Sequence, residues 1–98
     1  MLALKPEDIL SLEPGIVLHS LPDQNWYHAF SIINGDQFSL NQTSYWVLET
    51  INGGVAWDNL REGFTKYFEV SVEDGEADLI QLIEELLNQQ IVRRNSDE

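Results

Sequence analysis

From Phe38 to Gly53 the sequence passes from strand to helix with no loop residues in between, and this joint limits what can stand on either side of it. Asn41 is placed to cap the helix, its side-chain oxygen accepting from the backbone N–H of Thr43 or Ser44. Leu40 and Tyr45 then fall at the two positions of a hydrophobic staple, which sets the angle between strand and helix. Val47, Leu48 and Ile51 give the helix one apolar side. Asn52-Gly53 ends it, since either residue tolerates a left-handed backbone. Before the joint the sequence reads as strand, and after it almost wholly as helix.

Two more strands precede the joint. Ile16 to Leu21 is a β-branched and apolar run between Pro14-Gly15 and Pro22-Asp23-Gln24-Asn25, and Trp26 to Ile32 follows that loop. Asn34-Gly35 turns the chain into the third strand. A three-residue loop, Ile33-Asn34-Gly35 with Gly35 left-handed, sets Phe30 opposite Phe38 and His28 opposite Leu40. This register gathers the apolar residues on one face, and it makes His28 a packed cross-strand residue rather than a ligand. Residues 1–15 read as an extension packed on the domain, with Pro6-Glu7-Asp8 able to open a helical turn.

Two helices come after the joint. Trp57, Leu60, Phe64 and Phe68 recur at helical spacing and form the buried stripe of a helix that starts near Val55 or Ala56. Gly63 interrupts that helix and points to a close helix contact. Ser71-Val72-Glu73-Asp74 has the spacing of a capping box and opens a third helix that runs to about Gln89. Its apolar residues from Leu79 to Leu87 cover an arc of about 160°, wider than one core-facing stripe needs. Either the helix is wedged between two others, or one flank of the arc lines a groove. Ile91-Val92 closes the domain, and residues 93–98 form a charged tail.

Composition narrows the function. The 98 residues suffice for one domain with one core. Seventeen acidic residues against five basic ones give a net charge of −12, which opposes binding to nucleic acid because phosphate recognition needs a basic surface. The acids either keep a small domain soluble or favour a neutral or basic peptide partner. Cysteine is absent, so thiolate chemistry and cysteine zinc sites are excluded, and the two histidines make no recognisable metal or catalytic pattern. No apolar run is long enough to span a membrane, and no secretory signal opens the chain, so a cytoplasmic protein is expected.

The order of elements is thus three antiparallel strands followed by three helices, an α+β domain of winged-helix type with residues 16–92 as its body. The chain also resembles the PqqD family, peptide chaperones known as RiPP recognition elements. Leu40-Asn41-Gln42-Thr43 matches the family's strand-to-helix joint, Val47-Leu48 and Ile51 its aliphatic positions, and Asn52-Gly53 its helix end. Asp78-Leu79, Leu82-Ile83, Leu86-Leu87 and Ile91-Val92 match the last helix and its stop. Three positions depart from the pattern. Gly54 is an insertion, Val55 stands where Thr or Ser caps the second helix, and Gln90 replaces a glycine.

The resemblance implies a protein without catalytic residues, metal or cofactor. Such a chaperone binds the leader segment of a ribosomally made precursor peptide and presents it to a modifying enzyme such as a radical maturase, a leader peptidase or a cyclase. The leader adds as a strand to the open edge of the third strand, at Asp36, Gln37, Phe38 and Ser39, and packs on the third helix at Asp78, Leu79, Leu82, Glu85 and Leu86. The alternative is a winged-helix transcriptional regulator or another protein-interaction adaptor. A DNA-reading helix would carry Arg and Lys, whereas the third helix has neither between Ser71 and Gln90.

Overall fold

The computed structural model describes residues 3–95. In chain order the elements are β1 (Ile9–Leu12), β2 (Ile16–Leu21), β3 (Trp26–Ser31), β4 (Gln37–Leu40), α1 (Gln42–Ile51), β5 (Val55–Ala56), α2 (Trp57–Phe68), α3 (Val72–Asn88) and β6 (Val92–Asn95). A single 3-10 turn at Pro22–Gln24 joins β2 to β3. Strands β2, β3 and β4 form the expected antiparallel meander, and three helices follow it. The α+β, winged-helix-like architecture read from the sequence is the one observed.

The joint closes as its residues require. The Asn41 side chain accepts from the Ser44 N–H at 2.7 Å and caps α1. Val47, Leu48 and Ile51 are fully buried between the meander and the other helices. Tyr45 meets Tyr27 of β3 with ring centroids 5.2 Å apart, which seats the start of α1 on the inner face of the sheet. At the far end of the helix Asn52 stays extended and Gly53 takes the positive φ.

The register of the second hairpin differs from expectation by one residue. The loop holds four residues, Ile32 to Gly35, with Gly35 at φ +81° and its N–H donating to the Ser31 carbonyl at 2.8 Å. Ala29 therefore pairs with Phe38 and Tyr27 with Leu40, while His28 faces Ser39 and Phe30 faces Gln37. A one-residue shift turns every side chain over, so His28 and Phe30 lie on the outer face. The smaller residue wins the inner face. Ala29 is fully buried against the core, and the bulky Trp26, His28 and Phe30 stack on one another on the outside.

Of residues 1–15, expected as an extension packed on the domain, Ile9–Leu12 form a strand of a second sheet and Leu10 enters the core, where it is fully buried. This strand, β1, is the middle of that antiparallel sheet, ordered β5-β1-β6. Pro6-Glu7 forms a turn and no helix. The backbone beside it caps α2, because the carbonyl of Asp8 accepts from the Trp57 N–H at 2.7 Å and that of Pro6 from the Asp58 N–H at 3.1 Å. Ala56, at the N-cap position of α2, offers no side-chain cap. The missing Ser or Thr is thus replaced by main chain from the far end of the sequence. Asp8 is itself buried, and its carboxylate accepts from the Arg94 guanidinium on β6 at 2.7 and 3.1 Å. Residues 93–95, expected in a tail, belong to that strand; 96–98 lie outside the described residues.

Helices α2 and α3 pack at a glycine, but not the one expected. A Cβ on Gly63 would touch only the Trp46 ring, at 3.9 Å. A Cβ on Gly75 would stand 2.7 Å from Val70 Cγ2 and 3.0 Å from Thr65 Cγ2, so the first turn of α3 needs glycine to approach the end of α2. Ser71 caps α3 by accepting from the Asp74 N–H at 3.2 Å. At the other end Gln90 itself adopts φ +61°, and the N–H groups of Gln90 and Ile91 donate to the carbonyls of Leu87 and Leu86. This is the closure that glycine normally makes.

Candidate functional site

Strand β4 is one of the two outer strands of the meander, β2 being the other, and among the described residues each pairs only with β3. The Ser31 N–H donates to the Asp36 carbonyl at 2.9 Å, so residues 36, 38 and 40 direct their main-chain groups toward β3. By the same alternation Gln37 and Ser39 turn their N–H and C=O groups outward, where an extended chain could pair with them. Asp36 lies just before the strand, with its N–H held by the Asn34 side chain at 3.0 Å. Phe38 points inward and packs against the core.

The edge leads into a hollow of about 390 Å³. One side of it is the start of α1, Asn41, Thr43 and Ser44, the residues that directly follow β4. Phe64 and Phe68 of α2 and Val70 provide apolar surface, and Asp78, Gln81, Leu82 and Glu85 of α3 close it. The wide apolar arc of α3 is resolved here. Its centre, Leu79, Ile83 and Leu86, is buried in the core, and its Leu82 flank is half-buried and faces the hollow.

Of the helix residues expected on the wall, Asp78, Leu82 and Glu85 line this hollow. Leu79 and Leu86 do not, being 0% and 2% exposed and therefore out of reach of a ligand. The centre of an apolar arc goes to the core first, and only its edge remains for a surface. Sequence reasoning missed Thr43, Ser44, Phe64, Phe68 and Val70, which also line the hollow. Phe68 carried a usable signal, because it ends the apolar stripe of α2 where the helix leaves the core.

A second hollow, of about 300 Å³, lies on the other side of the first turns of α1. Tyr27 and Tyr45 line it together with Trp46, Tyr67 and Phe68, and Glu49 stands at its edge. Trp46 and Tyr67 are stacked, with ring centroids 5.0 Å apart. The two hollows share Phe68.

Among the described residues no cluster of three or more His, Cys, Asp or Glu is arranged to hold a metal ion, and no helix is long and apolar enough to cross a membrane. Fold and site define an α+β domain in which the β4 edge runs into a helix-walled hollow. Residues 15–92 match the family model described as Coenzyme PQQ synthesis protein D (PqqD), and the chain belongs to that family. The family's general character is that of a non-catalytic accessory protein, associated in coenzyme PQQ synthesis with a precursor peptide and a partner enzyme. No curated protein and no solved structure matches the chain. Strand β1 and the Pro6 and Asp8 carbonyls that cap α2 all lie outside the matched residues.

Proposed function

We propose that this chain is a peptide-binding chaperone that holds the leader segment of a ribosomally made precursor and presents the rest of that peptide to a modifying enzyme. One observation carries the reading: the outward main-chain groups of Gln37 and Ser39 lie on a free edge that continues directly into the hollow at Asn41. An extended leader pairs along β4, and its side chains beyond Leu40 enter the space between α1 and Leu82 of α3. Main-chain pairing supplies affinity for any extended peptide, and the hollow selects among them. Asp78 and Glu85 on the α3 wall favour a leader that is neutral or basic there. Duplex DNA is disfavoured by the net charge of −12 and by α3, which contains no Arg or Lys.

Leu82→Asp tests the groove. Leu82 is half-buried at the flank of the arc, so the variant should fold, with an unchanged far-UV circular dichroism spectrum. Its affinity for the leader should fall by roughly 1.5–3 kcal/mol, the scale of one buried aliphatic side chain. The titration uses precursor peptides encoded beside this gene, and the matching enzyme should lose activity on full-length precursor when the chaperone is left out. A folded Leu82→Asp variant that binds the leader as tightly as the parent would remove this wall from the site.

A further inference from the structure

We infer that the second hollow, between the first turns of α1 and the end of α2, is a binding site for an arginine side chain, carried by the same peptide that occupies the β4 edge. Three observations converge on it. Tyr27 and Tyr45 are 9% and 8% exposed and line the hollow, yet neither phenol hydrogen-bonds to another described residue. Neither phenol oxygen is sealed in the core, so both are accessible to a ligand in the hollow that their residues line. Glu49, the one carboxylate at the edge, forms no ion pair among the described residues. The two cations of α2 pair elsewhere, Lys66 with Glu62, and Arg61 with Asp58 and Glu76.

The walls agree with the floor. Trp46, Tyr67 and Phe68 offer ring surface, and Tyr67, stacked on Trp46 on one side, is still 62% exposed. Ring faces, two phenol oxygens and a carboxylate together ask for a planar cation with several donors. A guanidinium meets all three demands, because it stacks on aromatic faces while its N–H groups reach several acceptors. An ammonium satisfies fewer acceptors at one point, and an aliphatic side chain leaves the phenols and Glu49 unmatched. The net charge of −12 draws a basic segment toward the surface before any contact forms.

The peptide is assigned as the source because the two hollows meet at Phe68 and flank the same turn of α1. This assignment rests on the peptide-binding reading, and the experiment separates the two. Nα-acetylarginine amide is titrated into the isotope-labelled full chain, with Nα-acetylnorleucine amide as the uncharged control and Nα-acetyllysine amide beside it. Saturable shifts at the Trp46 indole N–H and at Tyr67 are expected with arginine, smaller ones with lysine and none with norleucine. Glu49→Gln and Tyr67→Ala should each weaken the arginine response by about fivefold. Equal responses to arginine and norleucine, or no response to arginine, overturn the inference.

In the second arm a precursor peptide is titrated against the parent, Glu49→Gln and Leu82→Asp. Weakening by both variants supports the shared peptide. Weakening by Leu82→Asp alone overturns the arginine site and leaves the groove intact. If no precursor binds, the peptide-chaperone reading and the assigned source fall together, and the amide titration alone decides whether the hollow takes arginine.

Discussion

Gln90 occupies a left-handed backbone position at φ +61°, where a side chain costs about 1–2 kcal/mol that glycine would not incur. The closure it makes is intact, with the Ile91 N–H donating to the Leu86 carbonyl at 3.0 Å, so the cost is local and nothing downstream adapts to it. Gln90→Gly should therefore stabilise the domain by about 0.5–1 kcal/mol, less than the full relief because glycine also loosens the unfolded chain. The measurement is a thermal melt, and a rise of roughly 2–6 °C is expected for a chain of this size. A fall in melting temperature would mean that the Gln90 side chain makes a stabilising contact. This residue was legible as a departure, since the helix pattern stops one position before it. That the side chain would simply accept the strained φ was not, because sequence does not distinguish a strained closure from a longer helix.

At the scale of elements, the two helical glycines separate propensity from packing. Gly63→Ala on α2 adds a methyl 3.9 Å from the Trp46 ring, ordinary contact distance, and should gain up to about 1 kcal/mol of helix propensity. Gly75→Ala on α3 gains the same propensity but drives the methyl against Val70 and Thr65, and overpacking of this kind costs about 1–3 kcal/mol. Denaturant melts should move in opposite directions for the two variants, and parallel movement would show that no close contact limits residue 75. Elements whose signals are local were readable: the caps at Asn41 and Ser71 are set by the next three residues, and α2 begins at Trp57, within two residues of the expected start. Pairing was harder. Three- and four-residue loops both place Gly35 in the same conformation, and the choice between them depends on Ala29 fitting into the core, a fact about packing that no local pattern contains. The candidate site follows the same division. The Leu82 flank and the β4 edge were visible as patterns, whereas the burial of Leu79 and Leu86 depends on how α3 lies against its neighbours.

Across the whole molecule, β1 joins regions that the sequence keeps far apart. Ile9 and Leu10 face Ala56 and Val55 on one side, and Asn95 and Arg94 on the other. Ile9-Leu10-Ser11-Leu12 is too short to show an alternation, and its partners lie on the far side of the meander in sequence, so nothing local announced it. Removing residues 1–12 would take away Leu10 from the core, two main-chain caps from α2, and the carboxylate that Arg94 binds. Loss of one buried leucine alone costs about 2–5 kcal/mol, a large part of the stability of a small domain. The truncated chain should lose its cooperative unfolding transition, read by near-ultraviolet circular dichroism. A sharp transition near the parent's temperature would show that the matched residues 15–92 suffice alone.

The pairing of Ile9 with Asn95 also decides how the domain responds to mechanical load. Strands β1 and β6 run antiparallel, and Ile9 and Asn95 stand opposite each other on the same rung. The load falls on one pair of residues at a time, from Ile9–Asn95 toward Leu12–Val92, and is never shared along the ladder. In single-molecule stretching from these two points the first event should be a low-force unzipping of β6 from β1, ahead of any loss of the meander. A peptide held on β4 is then on a sheet that load applied at these two points reaches last.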